Sequence, residues 1–187
     1  GVLSKSRSYA ERLFEYRTIG QLSDADAAEG FQKPARRNGR PFTDDALNEL
    51  IKVSSGYPYF IQAYGKAAWN ASGSNPIPLQ DVTKSEACAR AELDNGLYSA
   101  RWQRTTPAGR RYLAAMAKIG TESPSSTAEV ADRLGKATGE ISMTRGKLIE
   151  LGLIYSPGYG KVAFTVPGMG EFILRTMPSD GQVYDGR

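Results

Sequence analysis

Apolar residues return every three to four positions through most of the chain, a spacing that predicts helices rather than strands. Ser23 stands before Asp24 and Asp26 as an N-cap with acids at the positive helix end, so a first helix is expected to about Lys33. The run KPARRNGRP, residues 33–41, holds Pro34, Gly39 and Pro41 and reads as a frayed end and a loop. Thr43 is placed to cap a second helix, with Ala46, Leu47, Leu50, Ile51 and Ser54 on one face and Ser55-Gly56 as its stop. Pro58 suits the first position of a third helix carrying Phe60, Ile61, Tyr64, Ala67 and Ala68 inward to about Asn70. After SGSNPIP, a longer helix from about Leu79 buries Val82, Ala89, Leu93 and Leu97 and reaches Trp102 despite Gly96.

A second unit opens at Thr105-Thr106-Pro107, where an N-cap and a first-turn proline precede the stripe Tyr112, Leu113, Met116 and Ile119, with Gly120 as the stop. Ser126 and Glu129 have capping-box spacing ahead of Val130, Ala131 and Leu134, and Gly135 ends that short helix. A further helix runs from about Thr138 through Ile141, Leu148 and Leu151 to Gly152. LIYS and KVAFTV then flank PGYG as a β-hairpin. Helix, helix, short turn, helix and hairpin is the order of a winged helix-turn-helix. Near the start, residues 9–19 alternate as a strand would, and the end, PSDGQVYDGR, has the composition of a disordered tail.

Composition narrows the chemistry. The 187 residues are 40% hydrophobic and 24% charged, enough for two small cores, and no apolar run approaches the roughly 20 residues of a membrane span. There is no histidine, which removes the commonest general base and the usual zinc and iron ligand sets. The single cysteine, Cys88, has no partner for an internal disulfide and sits in EACARAEL, where a small buried side chain is expected; a cytoplasmic setting follows as the default. The net charge of +4 divides as +2 on either side of residue 104 and by itself names no partner. The opening GVLSKSRSYAERLF has neither an initiating Met nor a signal-peptide layout and reads as part of something longer. Four Gly-Lys pairs, Gly65-Lys66, Gly135-Lys136, Gly146-Lys147 and Gly160-Lys161, lack the upstream glycine and the following Ser or Thr of a P-loop. The chain by itself is therefore expected to be no enzyme.

SSGYPYFIQAYGKAAW, residues 54–69, resembles the helix-to-helix junction in the lid of AAA+ and STAND-type ATPases, with Gly56, Tyr57 and Pro58 matching its G-x-P motif. GEISMTRGKLIELGLIYS and GKVAFTVPGMGEFIL resemble the winged helix that follows the lid in ATPases related to replication initiators and in archaeal-type ATPases. The resemblance implies a mainly α fold: residues 1–19 as the remnant of the last strand and linker of a nucleotide domain, 20–104 as a helical-bundle lid, 105–176 as a winged helix-turn-helix with a small hairpin wing, and 177–187 as a tail. It further implies that Pro58 and its neighbours pack on ATP or ADP, bound with Mg by a P-loop domain outside this chain. Tyr59, Phe60, Ile61 and Gln62 follow the junction where many such lids carry a second-sensor arginine.

A winged helix inserts its third helix in the major groove and lays its hairpin on the backbone. Here Ser142, Arg145 and Lys147 supply donors on the third helix, with Tyr159 and Lys161 on the wing, while Glu140 and Glu150 repel phosphate. Arg145 has two readings, contact with DNA or a salt bridge to Glu129 or Asp132. The sequence thus supports a regulatory fragment in which the lid senses nucleotide and the winged helix contacts DNA. Two alternatives stay open: a winged helix that docks a protein or a second copy, and a stand-alone winged-helix regulator.

Overall fold

Ser23 takes the backbone N–H of Asp26 on its hydroxyl and so starts α1 (Asp24–Arg37). The computed structural model describes residues 21–176; the strand expected at 9–19 and the tail at 177–187 lie outside the described residues. Helix α1 runs one turn beyond the expected end at Lys33, through Pro34. The proline forfeits one bond, to Gly30, but Phe31 and Ala35 on either side of it are buried, and that packing holds the extra turn. The loop expected over 33–41 is correspondingly shortened to its second half.

Helix α2 (Asp44–Ser54) follows Thr43, whose hydroxyl bonds Asp45 and the carbonyl of Ile77 and makes no side-chain cap, contrary to expectation. Ala46, Leu50 and Ser54 are its buried line. Helix α3 (Pro58–Ala71) begins at its proline and buries Phe60, Ile61, Tyr64, Ala67 and Ala68, all five of the expected stripe. Helix α4 (Leu79–Leu93) packs along α3 and is continued by a π turn, Asp94–Tyr98, into α5 (Ser99–Gln103). Gly96 lies inside that turn, and a Cβ there would stand 3.4 Å from the Tyr59 hydroxyl. Leu97 and Tyr98 are both buried there. Cys88 faces outward on α4 and is exposed, the reverse of the buried position expected of it; Val82, Ser85 and Ala89 take the inner face.

Thr106 accepts the N–H of Gly109 and opens α6 (Pro107–Ile119), whose Tyr112, Leu113 and Met116 are almost fully buried. Strand β1 (Ser125–Ser126) leads into α7 (Thr127–Arg133), which carries the expected Ser126/Glu129 capping box. Helix α8 (Thr138–Glu150) buries Ile141 and Leu148, whereas Leu151, expected on that stripe, is exposed and Leu153 fills the core instead. The left-handed Gly152 turns the chain between them. Strands β2 (Ile154–Tyr155) and β3 (Lys161–Phe164) form the hairpin, pairing Ile154 with Phe164, and β1 adds antiparallel to β3 through Ser125 and Val162, giving the order β1-β3-β2. Helix α9 (Met169–Thr176) returns to pack on α6. The fold is mainly helical, a helical bundle followed by a winged helix with a three-stranded antiparallel sheet. No helix among the described residues is long and apolar enough to cross a membrane.

Burial raises the ionisation of Tyr64, Tyr98 and Tyr112 above the ordinary phenol value of 10.0, the Arg145 charge opposing the shift at Tyr112 and the Arg90 charge at Tyr64. A raised folded value means that the unfolded chain ionises first, so this contribution is intact below about pH 10 and is lost as pH rises above it, by up to about 1.4 kcal/mol per pH unit for each phenol. Tyr64, Tyr98 and Tyr112 are therefore expected to ionise at higher pH in the folded chain than in the urea-unfolded chain, read as tyrosinate absorbance against pH in the two states. Coincident curves for the two states would contradict these environments.

Candidate lid junction and nucleic-acid interface

Between α2 and α3 the chain must reverse direction in three residues. Ser55 and Gly56 do this with left-handed backbones, φ 47 and 65. Gly56 is also crowded: a Cβ there would stand 2.3 Å from the carbonyl oxygen of Leu22, whose N–H donates to the Gly56 carbonyl at 2.9 Å. The segment ahead of α1 is thereby stitched across the junction. Tyr57 is half-buried, while Pro58 and Tyr59 are exposed. Pro58 has no N–H, and those of Phe60 and Ile61 both donate to the Tyr57 carbonyl. The start of α3 therefore offers only the Tyr59 amide and ring surfaces. That suits packing against a nucleotide held elsewhere and does not suit a phosphate cradle.

From this junction a series of aromatic rings crosses the molecule. Tyr57 meets Phe60 edge-on at 5.0 Å, Phe60 meets Tyr98 at 6.4 Å, and Tyr98 stacks on Phe172 of α9 at 5.3 Å. The Tyr98 hydroxyl donates to the Pro167 carbonyl at 2.7 Å. Gly168, at φ 72, is fitted to that ring, since a Cβ would lie 2.5 Å from the hydroxyl oxygen. Arg175 closes the contact with an ion pair to Asp94 at 2.8 Å. The π turn and α9 thus join the bundle to the winged helix through packed aromatic groups. Sequence reasoning missed this contact because Tyr98 and Phe172 are 74 positions apart and carry no shared motif.

Of the five residues expected to meet DNA, Ser142, Arg145 and Lys147 lie on α8 and Tyr159 and Lys161 on the wing, and a bond joins the two elements through Arg145 and Ser156. Ser142 is exposed and its hydroxyl donates to the Gly139 carbonyl. Lys147 is exposed on α8, Lys161 is exposed at the start of β3, and Tyr159 stands free at the wing tip. Arg145 pairs with neither Glu129 nor Asp132. One guanidinium nitrogen donates to the Ser156 hydroxyl at 3.1 Å, its Nε is buried without a partner, and Glu129 is engaged in the capping box. Arg145 therefore ties α8 to the base of the wing, and that hydroxyl in turn lies within bonding distance of the Gly158 and Lys161 carbonyls. Around these donors Gly139 and Gly146 leave open space, and Met143, at 86% exposure, projects from the same helix. The face admits close approach of a partner but is thin in charge.

A model for a domain of unknown function (DUF8462) matches residues 95–173, which run from the π turn into α9. A solved structure of a mutant RuvB from Thermotoga maritima is similar to the chain at 16% identity and a TM-score of 0.41. That match covers 78% of this chain and 47% of the RuvB chain, so the present sequence spans about half of that relative's length. A comparison with curated proteins finds no match.

Proposed function

We propose that this chain is the regulatory part of an AAA+-type ATPase, in which the bundle serves as the lid over a nucleotide and the winged helix contacts duplex DNA. The observation that supports it best is the ring series Tyr57, Phe60, Tyr98 and Phe172, which gives the Gly56-Tyr57-Pro58 junction a packed route to the winged helix. Lid and winged helix then move as one body when the nucleotide changes, a rigid-body switch. ATP or ADP with Mg is held by a P-loop domain of the same protein, and Pro58 and the Tyr59 amide contribute contacts from the lid side.

Two outcomes are expected. The chain alone turns over no ATP above background, because its sequence contains no P-loop to cradle phosphates. In the protein that includes the P-loop domain, Pro58→Ala speeds ADP release by about threefold to tenfold with an unchanged melting curve, since Pro58 is exposed and removes no core contact. Unchanged release would return Gly56-Tyr57-Pro58 to helix punctuation.

A second reading has its own support. Met143, Leu151, Tyr155 and Tyr159 are large hydrophobic residues left exposed around α8 and the wing, a composition suited to a protein partner or a second copy. Under that reading the same face docks protein and nucleotide state controls assembly.

A further inference from the structure

Between Asp94 and Glu122 lie 27 residues without a single acid, carrying Arg101, Arg104, Arg110, Arg111 and Lys118. The block holds five of the chain's 24 Lys and Arg, so the remainder of the chain is net −1. Its four arginines fall within eleven residues that fold into a tight elbow between α5 and α6. Thr105 fixes the bend, its N–H donating to the Trp102 carbonyl and its hydroxyl to the Arg101 carbonyl. Arg110 is a structural member of this elbow: it donates to the Trp102 and Gln103 carbonyls and its guanidinium lies 5.4 Å from the Trp102 ring centre.

The other three have no such account. Among the described residues, none of the ion pairs engages Arg101, Arg104 or Arg111. Arg101 and Arg104 sit at the C-terminal end of α5, where the macrodipole favours cations, but Arg111 lies near the start of α6, where it does not. Helices α1, α2, α4, α7, α8 and α9 open with an acid in the first turn, whereas α3, α5 and α6 open with none, and α6 carries Arg110-Arg111 just inside. Positive charge gathered at an uncompensated helix start favours a polyanion outside the chain. The elbow's position suits that partner. A Cβ on Gly109 would stand 3.2 Å from the Leu148 side chain, which places the start of α6 against the C-terminal half of α8.

We propose that Arg101, Arg104 and Arg111 form a second contact with the nucleic-acid backbone, flanking α8 and supplying the charge that the α8 and wing face lacks. The proposal rests on the DNA reading of the winged helix. Arg110 holds the elbow in shape, and the guanidiniums of half-buried Arg101 and exposed Arg104 and Arg111 neutralise phosphates without reading bases.

The test is binding of the whole chain to a duplex of about 20 base pairs, two helical turns, measured at several salt concentrations. R101Q/R104Q/R111Q is expected to lower affinity at low salt by at least about 30-fold and to make the slope of log K against log salt shallower by about 2 to 3. R101K/R104K/R111K keeps the charges and is expected to retain most of the slope, which separates phosphate contact from a folding defect. If wild type binds and the glutamine variant binds with the same affinity and slope, the elbow is overturned while the α8 and wing reading stands. If wild type binds no duplex at low salt, both fall together. Equal competition by poly-glutamate would make the elbow an acidic-protein site and would likewise overturn the proposal.

Discussion

Lys147→Glu combined with Lys161→Glu is expected to abolish duplex binding in low salt, a loss of at least about 100-fold, while the melting temperature stays within about 3 °C of wild type. Both lysines are exposed and neither engages an ion pair among the described residues, so the reversal removes two cations and adds two anions without opening the core. The pair also lies on two elements, α8 and β3, so that a duplex seated on either one meets at least one reversed charge. Arg145→Ala is a poorer probe. It removes the bond to Ser156 that fixes the wing against α8, and loss of binding would then have a structural cause. Undiminished binding by the double variant would move this face to protein docking, in keeping with exposed Met143 and Tyr159.

The second large effect is one of stability. Gly56→Ala is expected to destabilise the chain by about 2 to 3 kcal/mol, read from the urea midpoint at constant m. A left-handed backbone costs an alanine about 1 to 2 kcal/mol, and the new Cβ, placed 2.3 Å from the Leu22 carbonyl oxygen, forces the entering segment off the junction with loss of its hydrogen bond, about 1 kcal/mol more. Gly39→Ala is the matched control: φ is 71, yet nothing lies within 4 Å of the added carbon, so only the backbone cost applies. Equal losses at the two glycines would contradict the close approach of Leu22. The comparison also bears on function, because it accounts for Gly56 without a nucleotide and leaves Pro58, the exposed first residue of α3, as the residue on which the proposed nucleotide contact rests.

What could be read from the sequence was what short-range periodicity records. The α3 stripe of Phe60, Ile61, Tyr64, Ala67 and Ala68 is helical at every position and is buried at every position. The Ser126/Glu129 box and the stop at Gly135 are local chemistry and appear as such. Features that depend on distant partners were not legible. Pro34 reads as a breaker, yet the helix persists because Phe31 and Ala35 face a core contributed by α2 and α3. Strand β1 is two serines, strand only by pairing with Val162 and Lys161. Cys88 lies one residue from the buried Ala89, and on a helix a shift of one position turns a side chain about 100° away from the core. The π turn at Gly96 advances the register once more and brings Tyr98 under α9.

The candidate site divides in the same way. Gly56-Tyr57-Pro58 is legible as a junction, but the carbonyl that crowds it belongs to Leu22, 34 positions earlier. The sequence leaves Arg145 between DNA contact and a salt bridge to Glu129 or Asp132, whereas the partner it bonds is Ser156 of the wing. The arginine elbow was present in the composition all along. Dividing the charge at residue 104 cuts the acid-free block in two and makes the halves look alike, and the structure adds that α5 and α6 meet there.

The proposed contact of the winged helix with DNA is tested most directly by amide chemical shifts of the chain titrated with a short duplex in low salt. Shifts are expected at Ser142, Met143, Gly146 and Lys147 on α8 and at Tyr159 and Lys161 on the wing, with smaller ones at Arg104 and Arg111, while Ala46, Leu50 and Ala67 in the bundle stay where they are. Shifts confined to the bundle, or none on α8 and the wing at saturating duplex, would contradict the account.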